Sequence, residues 1–396
     1  MSKPGSALQG IRVLAFELAA AGPFCSEILA DMGAEVIKIE RPETGDPIRE
    51  WDDVVKGLSS GYVWLNRGKY SLTLDVKHSE GKQIIHRLVE KSDVFLDNFA
   101  PGVAERLGFG YENLRERNPM LVYCSISGYG QDGPYKNRKA FDLLIQGESG
   151  VFATTGYPGK PAKLGPPVAD LTAGTYAALG ITLALYQREK IGKGQFVDIS
   201  MFESMLSWLG DFPHHYLHSG DLPDLVGMRH HYVTPYGPFM AKDGKYVNIA
   251  VASSKDWQLF CDGVLTDTAV RDNPKFKTIK SRRKHRVELE KIIEKAFLEH
   301  DSDEWFNRLE TASLPYGDVR GIDDAVSHPQ AIARNVIQKI SSPVGEIPVI
   351  ASPLRLSESS VRYSGIPKLG QDTEDILGEL GYSKDDIERL RSKKVI

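Results

Sequence analysis

The chain has few cysteines, and they do not form a cross-linking or metal-binding set. Its 396 residues include three, Cys25, Cys124 and Cys261, which lie far apart and make no CxxC pair. Disulfide frameworks and zinc clusters need paired or closely spaced cysteines, so the sequence predicts neither. A reducing, cytoplasmic location is therefore the simplest expectation.

The sequence also lacks a strong excess of one charge. It has 49 Lys and Arg against 53 Asp and Glu, which gives a formal net charge of -4. Proteins that bind nucleic acid usually carry a marked basic excess. We therefore expect no nucleic-acid partner, and any anionic ligand must be bound by a local site.

Long hydrophobic runs and nucleotide-binding loops are scarce as well. No segment reaches ~18 uninterrupted apolar residues, and the N-terminal MSKPGSALQG has no apolar export signal. We expect no membrane association. A GxGxxG match spans Gly128 to Gly133, but Pro134 follows it in place of an apolar helix start, and no ATP-binding GxxxxGK[ST] occurs. Neither an NAD enzyme nor an ATP-driven ligase is favoured.

What the sequence does contain is an alternation of strand and helix patterns. From Ile11 the segments IRVLAF, FCSEILADMG and AEVIKIE read as strand, helix and strand, with the helix ending at Gly33. The runs YSLTLDV, DVFLDNF and MLVYCSIS continue the pattern, with a helix predicted over 79–91. This alternation predicts an α/β fold with a mainly parallel sheet.

Changes in composition suggest two domains. Residues 1–205 form the large domain, and the Pro-, Gly- and His-containing stretch 206–232 reads as a linker. A smaller α+β domain is expected over 233–320, and 321–396 is interpreted as a linker and C-terminal segment that returns to the large domain. Within the small domain, Asp243-Gly244 between two strand-like runs predicts a hairpin.

Five of the ten histidines lie between residues 214 and 231, and His214 and His218 have a spacing suited to zinc. No HExxH sequence or cysteine partner accompanies them. We therefore predict no metal site and interpret the cluster as a polar junction or as part of a substrate pocket.

One carboxylate stands out in the segment GPPVADLTAGTYAALG. Asp170 lies at the start of an otherwise apolar helix of small residues. Asp is among the preferred N-cap residues, and helix starts also favour anions. Position alone therefore leaves two interpretations open, a helix cap and a reactive carboxylate.

Several segments together resemble the family III CoA-transferases, which include formyl-CoA transferases and carnitine CoA-transferases. The likeness spans essentially the whole chain and includes GIRVLAFELAAAGPFCSEILADMGAEVIKIERPETGD, NRGKYSLTLDVKHSEGK, DVFLDNFAPGVAERLGF, GKGQFVDISMFE and LGQDTEDILGELGYS. It implies a Rossmann-like large domain and ring-shaped chains interlocked in a homodimer. It also implies transfer of CoA from an acyl-CoA thioester to a free carboxylic acid, with no tightly bound cofactor and no metal.

The resemblance assigns roles residue by residue. Asp170 matches the nucleophile, which forms an aspartyl anhydride and then an aspartyl-CoA thioester. Arg and Lys suit the phosphates of CoA because they donate charge-assisted hydrogen bonds. The positions that match CoA contacts are Arg41, Leu74, Lys77, Asn98, Phe99, Arg106 and Lys139. Ala20, Ala21 and Asp142 match the lining of the active site.

Departures from the formyl-CoA transferase pattern bear on the substrate. Ala20 replaces a glutamine, Phe141 replaces a tyrosine, and a run of four glycines is missing, so oxalate is not the expected acceptor. In the segment MRHHYVTPYGPF we expect Arg229, His230 and His231 to meet the distal carboxylate of a larger acid. The expected substrates are C4 and C5 dicarboxylates, such as succinate, mesaconate, citramalate or itaconate.

Two alternatives remain. The α-methylacyl-CoA racemases share this pattern but use a His and Asp pair, and here Phe141 precedes Asp142, so one of two bases is missing. A non-catalytic CoA-binding subunit would bind CoA without any activity that depends on Asp170.

Overall fold

The computed structural model describes residues 5–396, so the first four residues of the N-terminal segment lie outside the described residues. The chain divides into two compact units. The first comprises Met1–Val151, Leu164–Pro213 and Pro329–Ile396, and the second comprises Phe152–Lys163 and His214–His328. The domain boundaries inferred from the sequence stay a prediction, and they did not separate residues 152–163 from the large domain.

The strands are short and are distributed over both units. In chain order they are β1 (Arg12–Phe16), β2 (Glu35–Glu40), β3 (Lys69–Thr73), β4 (Val94–Asp97), β5 (Val122–Ser127), β6 (Gly156–Tyr157), β7 (Lys160–Pro161), β8 (Phe196–Ser200), β9 (Tyr236–Met240), β10 (Tyr246–Ala250), β11 (Tyr316–Asp318), β12 (Ile337–Ile340) and β13 (Ile347–Ile350).

The helices alternate with these strands through most of the first unit. They are α1 (Ala21–Asp31), α2 (Ser60–Leu65), α3 (Ser79–Val89), α4 (Val103–Leu107), α5 (Tyr111–Arg117), α6 (Asp142–Glu148), α7 (Val168–Ile191), α8 (Met201–Trp208), α9 (Phe212–Ser219), α10 (Ser254–Leu259), α11 (Thr268–Asp272), α12 (Ile279–Lys284), α13 (Arg286–Phe297), α14 (Ser302–Thr311), α15 (Ile322–Val326), α16 (Pro329–Ala333), α17 (Thr373–Glu379) and α18 (Lys384–Ser392). Short 3₁₀ turns occupy Pro47–Glu50, Val151–Ala153 and Pro274–Phe276, and a π-helical turn occupies Phe260–Leu265.

The first unit is built on a parallel sheet with the strand order β3-β2-β1-β4-β5-β8. Counted within the sheet this is the order 3-2-1-4-5-6 of doubly wound nucleotide-binding sheets. Every residue of β4 and β5 is buried, as expected for strands covered by helices on both faces. The predicted α/β fold with a parallel sheet is confirmed.

The core of this unit is apolar and includes the C-terminal helices. Leu14 and Phe95 of the central strands pack in one cluster with Ile84 of α3, Leu377 of α17 and Leu390 of α18. Burying a side chain of this size stabilises a fold by about 1.5–3 kcal/mol. The end of the chain is thus an integral part of the first unit.

Helix α7 carries Asp170 and is a long core helix. It runs for 24 residues and ends at Gly192, whose left-handed conformation (φ 68°) forms the C-cap. By length and composition alone it would suffice to cross a membrane, but 56% of its most apolar stretch is buried in the protein. The small residues of α7 allow α1 to pack closely along one side of it, which buries part of the helix.

The second unit contains the antiparallel sheet β11-β10-β9. The predicted hairpin is confirmed, with Asp243-Gly244 between β9 and β10 and Gly244 at φ 80°. Its core includes Phe239, and Phe297 stacks on Trp305 with ring centroids 4.3 Å apart. Part of the segment 206–232 is helical, since it contains the end of α8 and all of α9; its role as a domain linker stays a prediction.

Candidate active site

Asp170 lies in the first turn of α7, but another residue caps that helix. The N-cap position is Pro167, whose side chain accepts no hydrogen bond. The carboxylate of Asp142, the first residue of α6, accepts a hydrogen bond from the backbone N–H of Ala169 at 2.8 Å. This contact satisfies an N–H group that a helix start leaves unpaired. Asp142 therefore caps the helix. The sequence left two interpretations of Asp170 open, a helix cap and a reactive carboxylate, and this arrangement favours the reactive carboxylate.

The position of Asp142 is itself fixed. Its second carboxylate oxygen accepts a hydrogen bond from the Gln146 amide at 2.7 Å. The same amide nitrogen donates to the carbonyl of Pro166 at 3.3 Å, and its oxygen accepts from the backbone N–H of Leu164 at 3.0 Å. Gln146 is fully buried, so these bonds tie α6 to the segment that leads into α7.

The environment of Asp170 makes its carboxyl group unusually basic. Burial disfavours the charged form, and the nearby negative charge of Asp142 adds to this effect; together they raise the pKa of Asp170 to about 7. A carboxylate of this basicity is a stronger nucleophile than an ordinary aspartate and is still substantially ionised at neutral pH. Perturbed carboxyl groups of this kind are common at functional sites.

The start of α1 lies close to α7 at the turn that follows Asp170. A Cβ atom added to Gly174 would stand 2.7 Å from the carbonyl oxygen of Ala21 and 3.2 Å from the backbone nitrogen of Cys25. Asp170 and Gly174 are four residues apart and share a helix face. No side chain caps α1 at Ala20, and Pro23 has no N–H, so the backbone N–H groups of Ala21 and Gly22 lack intrahelical acceptors and are suited to stabilise negative charge. The structure thus places Ala21 close to the face of α7 that carries Asp170, and the role of Ala20 and Ala21 in lining the active site stays a prediction.

The loop that leads into α1 lies at the position where the strand order of the sheet reverses. Strands β1 and β4 are neighbours here, and doubly wound folds bind ligands in the crevice at such a switch point. Asn98 follows β4, and its amide holds Leu18 by two bonds, accepting from the Leu18 N–H at 3.0 Å and donating to its carbonyl at 2.8 Å. Phe99 packs edge-on against Phe16, with ring centroids 6.1 Å apart.

The other positions matched to CoA contacts differ in exposure. Leu74 is a core residue at 2% exposure, and its N–H donates to the carbonyl of Glu40. Arg41 and Lys77 are exposed and follow β2 and β3, so both stand near the carboxyl edge of the sheet. Arg106 of α4 lines a cavity of about 560 Å³. The exposed Lys139 lies in the loop between β5 and α6.

Comparison with known proteins identifies the family. Residues 8–373 match the sequence profile of CoA-transferase family III. The chain belongs to this family. It is 35% identical to a succinate–glutarate CoA-transferase of Agrobacterium fabrum over 383 residues, covering 94% of this chain and 95% of that protein. It is 34% identical to a succinyl-CoA–D-citramalate CoA-transferase of Chloroflexus aurantiacus over 400 residues, covering 100% and 99%.

A solved structure of similar fold supports the same assignment. A CAIB/BAIF family protein from Brucella suis superimposes with a TM-score of 0.83 at 33% identity, covering 95% of this chain and 100% of that one. The predicted family and the predicted CoA-transferase activity are therefore confirmed. CoA thioesters are the substrates of this enzyme class.

The residues expected to meet a distal carboxylate lie in the second unit of this CoA-transferase. The Arg229 guanidinium stacks over the Phe239 ring at 3.7 Å, donates to Pro238 and pairs with Glu294 at 3.1 Å. The Nδ1 atom of His230 accepts hydrogen bonds from two backbone N–H groups that follow it, at 3.1 and 3.2 Å. Both side chains thus have partners within the unit, and their contact with substrate stays a prediction.

His231 and the remaining histidines have no metal-binding arrangement. His231 lines a separate cavity of the second unit with Arg283 and Arg286. The ring of His215 on α9 stacks on Tyr232 with centroids 5.1 Å apart. Among residues 5–396, no group of three or more His, Cys, Asp or Glu side chains is placed to hold a metal ion.

Sequence reasoning missed a group of buried charged residues behind the loop 17–20. The group comprises Glu17, Lys38, Asp46 and Lys69, each at most 5% exposed. The available signal was the presence of charged residues inside strands that were predicted to be buried, as with Lys38 in EVIKIE. Such residues are almost never fully buried unless they are paired.

Proposed function

We propose that this family III CoA-transferase exchanges CoA between an acyl-CoA and a C4 or C5 dicarboxylic acid, with Asp170 as the nucleophile. The observation that carries the proposal is the environment of Asp170, a basic carboxylate freed from capping beside the uncapped start of α1. The acids come from the names of the two relatives, which refer to succinate, glutarate and citramalate, and from the residues of the MRHHYVTPYGPF segment.

In the first half of the proposed reaction, CoA moves onto the enzyme. The ionised Asp170 attacks the thioester carbonyl of the donor, and the C–S bond breaks to give an aspartyl-acyl anhydride and CoA thiolate. The thiolate then attacks the aspartyl carbonyl, which releases the donor acid and leaves an aspartyl-CoA thioester. First-turn N–H groups of α1 are suited to stabilise the negative oxygen that forms at each attack.

In the second half, the acceptor takes the CoA. Its carboxylate attacks the aspartyl-CoA thioester and forms a new anhydride with release of the thiolate. The thiolate attacks the acceptor carbonyl of that anhydride, so a new acyl-CoA leaves and Asp170 is regenerated. One thioester replaces another, so no ATP, metal or tightly bound cofactor is needed in the proposed cycle.

Cations near the carboxyl edge of the sheet suit the phosphates of CoA. We assign this role to Arg41, Lys77, Arg106 and Lys139, all of which are exposed. In this scheme Asn98 supports CoA binding indirectly, by holding the loop at Leu18. Phe99 contributes apolar surface to the CoA site, and Leu74 contacts CoA only through its backbone, because its side chain is buried. The partners of the protein in this scheme are acyl-CoA and a small acid, and its proposed location is the cytoplasm.

The apolar outer face of α7 supports a homodimer. Leu179, Leu183 and Tyr186 are 52%, 58% and 62% exposed, and a cavity of about 620 Å³ lined by Phe24 and Trp64 adjoins Leu179. Exposed apolar side chains that form a continuous face often mark an interaction surface, so a second copy is the proposed occupant, in the interlocked form that the family resemblance implies. Light scattering on the native protein and on Leu183→Glu tests it; a monomeric native protein would contradict the proposal.

The exchange itself can be tested by mass spectrometry of the full-length protein without metal or ATP. The mixture contains succinyl-CoA and a panel of free acids: glutarate, citramalate, mesaconate, itaconate, malate and oxalate. New acyl-CoA species should form from C4 and C5 dicarboxylates with native protein and not with Asp170→Asn. Exchange with oxalate alone would refute the proposed substrate class.

Two further measurements separate the alternatives. A racemase would wash deuterium from solvent into the α position of a 2-methylacyl-CoA without any exchange between acids. A binding subunit would bind CoA in calorimetry and leave every acyl-CoA unchanged. Either result would overturn the proposed function.

A further inference from the structure

The loop between β1 and α1 adopts an unfavourable backbone conformation. Ala19 has φ 58°, in the left-handed region that side chains with a Cβ atom usually avoid. Strain of this kind persists only where surrounding contacts hold it. Here Asn98 holds Leu18 as described, and a carboxylate oxygen of Asp46 accepts a hydrogen bond from the N–H of Ala19 at 3.2 Å.

Asp46 is held in turn by a buried lysine. The ammonium group of Lys38 donates to the other carboxylate oxygen of Asp46 at 2.7 Å and to the side-chain oxygen of Asn66 at 3.0 Å. The oxygen that receives Ala19 also accepts from the N–H of Ile48 at 3.1 Å. Asp46 is fully buried, and both of its oxygens face donors.

A second ion pair extends the network to the ends of the loop. Lys69 donates to Glu17 at 2.7 Å and to the carbonyl of Pro23 at 3.0 Å, and Lys38 lies 3.7 Å from the same Glu17 oxygen. The other Glu17 oxygen accepts from Ser26 at 2.6 Å. The network thus contacts the first residue of the loop, its middle and the first turns of α1.

Energetics favour a geometric role for these charges. Replacing a buried ion pair with apolar residues is often neutral or stabilising, so fold stability alone gives a weak reason for two such pairs in one place. Their common feature is contact with the segment 17–26. That segment includes the first-turn N–H groups of α1, which lie beside the face of α7 carrying Asp170.

We propose that Asp46, held by Lys38, is a positioning residue that keeps Ala19 in its left-handed conformation and thereby fixes the first-turn N–H groups of α1 for catalysis. This inference rests on the proposed role of Asp170. It adds a determinant of catalytic geometry that acts through the loop and not on the nucleophile directly.

The variant that tests the proposal is Asp46→Asn. The amide keeps the volume of the side chain, but both oxygens of Asp46 face donors, so the NH₂ group of the variant must point at Lys38 or at the N–H of Ala19. Asp31→Asn is the matched control. Asp31 is also buried, at the far end of α1, and both of its oxygens accept from Arg67 at 2.9 and 2.6 Å.

For Asp46→Asn we expect kcat for acyl exchange to fall about 10- to 100-fold, because small displacements of catalytic groups have effects of this size. The dissociation constant of free CoA in calorimetry and the KM of the donor should change less than about threefold, since the cationic edge is untouched. Asp31→Asn should lower the melting temperature by about as much as Asp46→Asn does, but it should leave kcat within about twofold of native.

A second substitution provides a rescue that a purely structural role would not show. Glycine adopts positive φ without strain, so Ala19→Gly should restore kcat of Asp46→Asn at least about fivefold. If Asp46→Asn fails to fold, Ala19→Val tests the same geometry, because a β-branched residue resists positive φ, and kcat should fall while free CoA still binds.

The proposal is overturned if Asp46→Asn keeps native kcat, if Asp31→Asn loses as much kcat as Asp46→Asn, or if Ala19→Gly gives no rescue. In the case of a misfolded Asp46→Asn, native kcat in Ala19→Val overturns it. Failure of the proposed function is seen separately: Asp170→Asn would then remain active, or native protein would show no exchange, whatever Asp46 does.

Discussion

Replacing the nucleophile should stabilise the protein at neutral pH while it abolishes activity. The fold surrounds Asp170 with an environment that favours the neutral acid, as its pKa of about 7 shows. The amide side chain of the Asp170→Asn variant resembles that neutral acid in shape and charge. The variant therefore avoids the unfavourable free energy of placing a negative charge in this site.

The pH dependence follows from the two pKa values. The carboxyl group has an ordinary value of 3.8 in the unfolded chain and about 7 in the fold. Because the folded value is raised, the favourable contribution of the acid form is fully present below pH ~4 and is lost as the pH rises to about 7. The full difference corresponds to about 4 kcal/mol, and partial exposure of the side chain reduces the expectation to about 2–4 kcal/mol.

The assay is urea unfolding of native protein and Asp170→Asn between pH 4.5 and 8, at one protein concentration because assembly affects apparent stability. The gain in the free energy of unfolding should grow between pH 4.5 and 7 and level off above. The exposed Asp221, replaced by Asn, serves as control and should change stability by less than about 0.5 kcal/mol. An Asp170→Asn gain that is absent, or constant across this range, would refute the raised pKa.

Three further predictions concern single contacts. Asp142→Asn removes the lesser cause of the raised pKa of the nucleophile, so the acid limb of the pH profile of kcat/KM should move down by less than about one pH unit; an upward move would contradict the assignment. Gly174→Ala should destabilise by about 1–3 kcal/mol and lower kcat, because its Cβ would meet backbone of α1, whereas Gly180→Ala on the same helix meets a Val197 methyl group and should affect kcat less. Arg229→Met should raise the acceptor KM about tenfold in steady-state assays. Glu294→Gln breaks the ion pair of Arg229 but keeps the guanidinium, so an equal rise in the acceptor KM of that variant would show that Arg229 has a structural role and does not bind the acceptor.

Much of the fold was predictable because it depends on local patterns. The segments IRVLAF and AEVIKIE became β1 and β2, and the helix predicted over 79–91 is observed as Ser79–Val89. The excursion of residues 152–163 into the second unit was not predictable in this way. It depends on long-range packing, and its two-residue strands β6 and β7 are too short to give a periodic signal.

The chemistry of the site was predictable from the sequence, but the roles of several individual residues were not. Family resemblance placed Asp170, and the structure then assigned the cap of α7 to Asp142, 27 residues upstream of the N–H that it receives. Asn98 was expected to contact CoA, yet its amide is used on Leu18. Both roles depend on which distant segments meet in the folded chain. Such contacts have no fixed spacing in the sequence, so a single sequence does not reveal them.

The electrostatics of the site suggest how one carboxyl group serves two opposing needs. The ligands of this enzyme class are anions, and a permanently charged Asp170 beside Asp142 would repel them. A pKa of about 7 leaves a substantial share of the molecules with a neutral Asp170 at the moment of binding. Attack needs the ionised form, which is regained by loss of one proton at no great cost near pH 7. An arginine beside Asp170 would keep the carboxyl group ionised and would also lower its basicity. Among the described residues, no cation contributes to the pKa of Asp170. This is consistent with a nucleophile and not with a member of a structural ion pair.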